Sequence, residues 1–269
     1  MRLHLGEKLA AYYCNPPDSY YATADRAADR YVPALMPFHC DLVSRVQPNS
    51  TVLEVGCGSA HLCPQVEAAG GSYTGMDHGE KLLAQNRQRF PRARFFPLTT
   101  EIDETFDMVA SLYTIEHVTD PQAYLQRLWY FCRPGGLIAI ICPDFVDGDG
   151  LAPSFFYGKT ARRFRNKLTS FALIDAFKHV LDLLCFAPLW KRRAQASGPG
   201  AFWINLAPRI FAGADYTTDA DAVHLPRLLD LIWWLEGQGA TIVETSRSLP
   251  EVDPAILKHN CYVAARKPA

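Results

Sequence analysis

The stretch TVLEVGCGSAHL, Thr51 to Leu62, decides the fold. The apolar run Thr51 to Val55 predicts a buried strand. Gly56, Cys57, Gly58 and Ser59 then predict a turn whose backbone N–H groups can approach a ligand closely. HLCPQVEAAG reads as the helix that follows, stopped by Gly70-Gly71. One acid, Glu54, stands at the end of the strand, where a carboxylate is costly unless it has a partner.

The same alternation continues outward from this unit. SYTGMD is a second strand and HGEKLLAQNRQRF a second helix. ARFFPL is a third strand and FDMVASL a fourth. DPQAYLQRLWYFCRPGG is a helix that stops at Pro134-Gly135-Gly136, and LIAIICP is a fifth strand. Strands alternating with helices predict a parallel sheet covered on both faces and joined by right-handed crossovers. LPRLLDLIWWLEGQG is a late helix. TIVETSRSL and HNCYVAARK are the final strands, antiparallel because the link PEVDPAILK is short for a crossover. Upstream, NPPDSYYATADRAADRYVPALMPFHCDLVSRV carries apolar residues at helical spacing, up to the breaker Pro48-Asn49-Ser50. The expected architecture is a single α/β domain, a doubly wound, seven-stranded, mostly parallel sheet. Residues 1–47 form an N-terminal helical lid, 50–146 and 220–269 the core, and 147–219 an inserted substrate lid.

Composition narrows the function. The chain has 269 residues, 49% of them hydrophobic, enough for one sizeable core. A formal net charge of −1 gives no reason to expect nucleic-acid binding. No apolar run has the length of a membrane span, and MRLHLGEKLAAYY does not read as a signal segment. The eight cysteines form no C-x-x-C pair, so reduced thiols in a cytoplasmic protein are expected, with no metal site.

Two glycines before a helix can serve several ligands. The nicotinamide fingerprint G-x-G-x-x-G fails at its third position, which is His61, and no G-K-[ST] follows for a P-loop. Glu54 would repel a pyrophosphate and suit an ammonium. Asp77 ends the second strand, near the spacing at which an acid accepts from ribose hydroxyls. S-adenosylmethionine carries both groups.

VLEVGCGSA resembles motif I of the class I S-adenosylmethionine-dependent methyltransferases. YTGMDHGEKLLAQNRQRF resembles the second strand and helix of that family, FDMVASLYTIEHVTDP its fourth strand and active-site loop, and LWYFCRPGGLIAI the following helix–turn–strand. The resemblance spans roughly residues 50 to 143 and is nearest to small-molecule enzymes of the ubiquinone-pathway type. It implies that Glu54 orients the glycine loop or meets the methionine end. Gly56, Cys57 and Gly58 then lie against the cofactor, with Asp77 on the ribose and His78 near the adenine. Ser111 and Tyr21 also fall to the cofactor site. Two positions depart from the pattern. Ala60 stands where a third glycine is usual, and Leu98-Thr99 stand where an acid often meets the adenine amino group, so Thr99 or the backbone is expected to replace it.

Candidates for the chemistry are His117 and Tyr113 after the fourth strand, Asp144 after the fifth, and His224 near the start of the late helix. Each has a structural alternative: packing against the cofactor loop or helix capping for His117, cofactor packing for Tyr113, helix capping or a turn acid for Asp144, and an ordinary cap-region place for His224. Glu116 is expected to brace its loop, and Tyr20 and Tyr21 to cover the cofactor or pack a helix. Between Lys159 and Arg193 nine basic residues face two acids, Asp175 and Asp182. LTSFALIDAFKHVLDLLCF places Phe171, Ile174, Phe177, Leu181 and Leu184 on one side. That stripe is expected to pack on the core, with an anionic or lipid-linked substrate, or contact with a membrane surface, as alternatives. GPGAFWINLAPRIFAG, with Trp203 and Asn205, reads as a loop lining a pocket, with plain core packing as the alternative. The expectation is a methyltransferase acting on a small-molecule acceptor, by preference a hydroxyl oxygen, in a biosynthetic pathway. An N- or C-methyltransferase, a nicotinamide oxidoreductase and a non-catalytic binder are the alternatives.

Overall fold

The computed structural model describes residues 2–21, 36–160, 162–210 and 217–269. Residues 22–35 of the N-terminal helical reading and 211–213 of the aromatic tail lie outside these. Seven strands form one sheet: β1 (Thr51–Val55), β2 (Ser72–Asp77), β3 (Arg94–Pro97), β4 (Phe106–Leu112), β5 (Cys132–Pro143), β6 (Thr241–Thr245) and β7 (Asn260–Arg266). Their order is β3-β2-β1-β4-β5-β7-β6. The first five run parallel, and β7 lies antiparallel between β5 and β6.

Each central strand divides its side chains between two cores with a period of two. Ile138, Ile140 and Cys142 of β5 face one side; Leu137, Ala139 and Ile141 face the other. The first side is covered by helices Pro121–Phe131 and Leu228–Gly237, through Leu125, Leu128, Leu231 and Leu235. The second is covered by helices Pro37–Ser44, Cys63–Ala68 and Glu80–Arg89, through Leu42, Val66 and Leu83. All eight cysteines are free thiols.

Two local expectations change. The helix after β4 ends at Phe131, and RPGG belongs to β5. Phe106 pairs with Cys132 and Met108 with Leu137, so β5 bulges where RPGG passes β4. Gly135 supplies the left-handed backbone this needs, with φ of 72°. The expected pocket loop around Trp203 and Asn205 instead closes a satellite core. Trp203 packs edge-on against Trp190 and donates to Ser197 Oγ at 2.8 Å, and Asn205 donates to Ser154.

β2 and β4 leave β1 in opposite directions, so the loops after β1 and β4 diverge and open a crevice at the carboxyl edge of the sheet.

Candidate active site

A cavity of about 950 Å³ fills this crevice. Its walls are the carboxyl ends of β1, β2, β4 and β5, with Tyr13, Tyr20 and Asp219 also lining it. Of the residues that the sequence marks for the cofactor, Glu54, Gly56, Cys57, Gly58, Asp77 and His78 line it, and so do Tyr113, His117 and Asp144.

The glycine turn shows why its residues are what they are. Gly56 has φ of 81°, and a Cβ there would meet Thr114 Oγ1 at 2.2 Å. Gly58 has φ of 48° and no atom within 4 Å of where a Cβ would project, so its backbone stands open for a ligand. Ala60 holds φ of 54° while fully buried. Alanine at this position therefore costs backbone strain, and not only the closeness of approach expected from the sequence. Asp77 fixes the turn from β2. Its Oδ2 accepts from Gly58 N and its Oδ1 from Gly79 N, both at 2.8 Å. Each oxygen keeps a lone pair, so the side chain can still accept from a diol.

Glu54 differs from the open negative charge that the sequence suggests. It is buried and accepts a short hydrogen bond from the Tyr73 hydroxyl. Burial pushes its carboxyl up to about 8, against the lowering effect of that bond. A cation brought beside it would favour the charged form again. Leu98 bounds the far end of the cavity and its carbonyl accepts from Arg127. His78 lies there too; burial lowers its pKa most, opposed by Asp77. The open backbone at Gly58 and the two-oxygen acceptor at Asp77 fit S-adenosylmethionine.

The opposite end carries the titratable groups. His117 sits on a short turn, Ile115–His117, directly after β4. Its Nδ1 lies 3.7 Å from Asp221 Oδ1 and its Nε2 3.9 Å from Glu116 Oε1. Asp221 is held by the Tyr13 hydroxyl, and the Tyr13 ring stands edge-on to the imidazole at 5.6 Å. Burial alone would lower the His117 pKa; the carboxylates Asp221, Glu116 and Asp219 outweigh it and raise it. The Glu116 side chain is fully buried, and its carboxyl is pushed up to about 8, chiefly by burial. Neither of its oxygens finds a hydrogen-bond partner among the described residues. It braces its loop through the backbone instead, its carbonyl accepting from Val223 N and His224 N. Among the described residues, donor atoms of Glu116, His117 and Asp219 gather within 4.8 Å of one another.

Four sequence candidates lie elsewhere. His224 is fully buried outside the cavity. Its Nδ1 meets the Ile115 carbonyl at 3.1 Å, and burial drives its pKa down to about 3, so it props the His117 turn as a neutral ring. Ser111 is buried beneath the floor, 2.9 Å from the Tyr124 hydroxyl. Thr99 does not reach the cavity, where Leu98 stands instead. Tyr21 turns away under Lys81, whose ammonium lies 4.1 Å from the ring centre, while Tyr20 lines the wall. Asp144 caps its own loop, accepting from Asp147 N at 2.8 Å, and burial raises its pKa.

The sequence reading missed Tyr13, His39, Asp219, Asp221, His259 and Asn260. They come from distant segments with no motif around them. Tyr113 adopts φ of 52°, and its hydroxyl donates to Asn260 at 3.2 Å while its ring stacks on His39.

Comparison with known proteins agrees with this geometry. The methyltransferase domain family matches residues 53–140. A trans-aconitate 2-methyltransferase of Deinococcus radiodurans is 27% identical over 230 residues, which cover 82% of this chain and 79% of that protein. A ubiquinone biosynthesis O-methyltransferase of Pseudomonas putida is 33% identical over 96 residues, 32% of this chain and 41% of that enzyme. The matched segment thus spans about two fifths of the ubiquinone-pathway relative. Among solved structures, the Burkholderia thailandensis 1,6-didemethyltoxoflavin-N1-methyltransferase, crystallised with S-adenosylhomocysteine, shares the fold. Its TM-score is 0.54 at 18% identity, over 94% of this chain and 85% of that one. The magnesium protoporphyrin IX methyltransferase of Synechocystis aligns with a TM-score of 0.52 at 13% identity, over 97% and 99%. Motif order, sheet order, the glycine cradle facing Asp77 and the family match converge: residues 53–140 form a methyltransferase domain, and the chain is an S-adenosylmethionine-dependent methyltransferase.

Proposed function

We infer that this methyltransferase alkylates a hydroxyl oxygen of a small molecule in a biosynthetic pathway, with His117 as the general base. S-adenosylmethionine supplies the methyl group when bound. Glu54, Gly58 and Asp77 hold it at the β1–β2 end. The acceptor then occupies the end between His117, Tyr113 and Asp144. A hydroxyl is a poor nucleophile until its proton leaves, whereas an amine can attack as it stands. The observation that carries the oxygen reading is His117 itself, an imidazole in the cavity wall backed by the Asp221 carboxylate. The imidazole takes the hydroxyl proton, and Asp221, fixed by Tyr13, stabilises the resulting cation. The trans-aconitate and ubiquinone-pathway relatives support a small acceptor.

The test is transfer of a labelled methyl group to a panel of phenols, hydroxy acids and amines. Phenols or hydroxy acids are expected to be labelled. The rate should rise with pH through a value above the ordinary imidazole range, because the base must be neutral and its pKa is raised. His117→Asn should keep affinity for S-adenosylhomocysteine, lose turnover by about 10²–10⁴-fold and lose that pH limb. Labelling of amines alone, or an unchanged pH profile in the variant, would contradict the base assignment.

A further inference from the structure

The segment after β5 contains a continuous helical run: Leu173–Leu181, a wider turn at Asp182–Phe186, and Ala187–Ala196. Its packing reverses the arrangement expected from the sequence. The side laid against the protein is small or polar: Ala176, His179, Asp182, Ala187 and Ala194 are buried. The large apolar side faces solvent. Phe171, Leu173, Ile174, Phe177 and Leu184 are each 60% to 86% exposed, and Leu168, Phe186 and Leu189 join them. An apolar stripe of this kind on one element is far more than the scattered exposed residues of an ordinary surface.

The charges follow the same division. The two acids of the arm turn inward. Asp175 accepts from Lys159 N and Thr160 and pairs with Lys167 at 3.0 Å, and Asp182 pairs with Arg209 at 3.0 Å. Lys159, Arg162, Arg163, Arg165, Lys178, Arg192 and Arg193 are exposed, and none pairs with a carboxylate among the described residues. Every exposed charge between residues 159 and 193 is therefore positive. That combination fits an anionic interface into which apolar side chains can sink. It does not fit a second copy of the chain on the same face, since two such arms would set like charges against each other. The arm is also tied to the active site. Lys191 donates to the Gly148 and Gly150 carbonyls, in the loop whose Gly150 and Leu151 wall the cavity.

We propose that this arm docks the enzyme on an anionic lipid bilayer, with Phe171, Ile174, Phe177 and Leu184 inserted and the flanking arginines and lysines on the headgroups. No described helix is long and apolar enough to cross a membrane, so the contact is with one leaflet. The inference does not depend on the acceptor or on His117.

The experiment is flotation of the purified full chain with vesicles of phosphatidylcholine alone and of phosphatidylcholine containing phosphatidylglycerol. The chain is expected to float with the anionic vesicles and to do so less at high salt. Ile174→Ser combined with Phe177→Ser should weaken binding on the order of tenfold or more. Both side chains are exposed, so the variant should keep its melting temperature and its affinity for S-adenosylhomocysteine. As a second readout, an environment-sensitive fluorophore on Cys185, in a Cys14→Ser background, should shift to the blue with anionic vesicles. A chain that stays at the bottom of the gradient with a fluorophore that does not shift overturns the proposal. So does flotation equal in wild type and variant. A wild-type dimer in light scattering that becomes a monomer in the variant would give the face to self-association instead.

Discussion

The glycine turn separates two demands that a motif reading merges. Gly56 is required by the protein itself, because any side chain there strikes Thr114. Gly58, at φ of 48°, has open space where a side chain would project, so beyond the backbone strain of a substitution we propose that its bareness serves the ligand. Gly56→Ala is therefore expected to lower stability by about 1–3 kcal/mol or prevent folding. Gly58→Ala should fold with a smaller loss and bind S-adenosylhomocysteine at least about tenfold more weakly, through a methyl group in the cradle. Thermal melts and calorimetric titration of the two variants check this contrast. Glu54 makes a pH prediction. Its folded pKa is raised to about 8 from an ordinary value of 4.5. Between those values the folded state holds a proton that the unfolded chain has released, so this stabilising contribution is lost as pH rises through about 8. Melting temperature of the ligand-free chain should fall from about pH 6 to about pH 9, and less steeply in Glu54→Gln. An equal slope in both would remove the assignment. Glu116 contributes in the same direction, so the slope should flatten without vanishing.

At the scale of elements, the strands were legible because buried parallel strands are continuous apolar runs, and β2 and β4 fall where the sequence places them. The helix before β5 was read too long, because RPGG reads as a helix stop when it is a bulge within a strand. The orientation of the basic arm was not legible either. Helical spacing shows that Ile174, Phe177 and Leu184 share a face, but not which way the face points. At the amino ends of the strands, Asp107 binds the sheet together. It accepts from Thr51 N at 2.7 Å and Thr51 Oγ1 at 2.9 Å, and from Arg133 Nε at 2.6 Å. Burial would raise its pKa, but these donors outweigh it and hold it below the usual range. Asp107→Ala should cost about 1–3 kcal/mol in denaturant unfolding while cofactor affinity stays unchanged. That stabilisation is present above the ordinary carboxylate pKa and lost as pH falls through the lower folded one, so the wild-type advantage should shrink in acid.

Over the whole molecule, the β1–β2 end of the cavity was legible in part: Glu54, Gly58 and Asp77 lie in order at strand ends, whereas Ser111, Thr99 and Tyr21 fall outside the cavity. The opposite end was not. His117 was visible through its motif, but Tyr13, Asp219 and Asp221, which surround and polarise it, are brought there from both ends of the chain. His224 illustrates the limit from the other side. A histidine near a helix start suggested chemistry, and the fold uses it as a neutral prop under Ile115.

Binding of S-adenosylmethionine in the Gly58–Asp77 cradle is tested by calorimetric titration of the purified chain with S-adenosylhomocysteine, with reduced nicotinamide dinucleotide as control. One site is predicted at micromolar affinity, about −8 kcal/mol, clearly weakened by Asp77→Ala, with no heat from the dinucleotide. A folded chain that gives no heat with the sulfur ligand, or binds only the dinucleotide, would contradict the account.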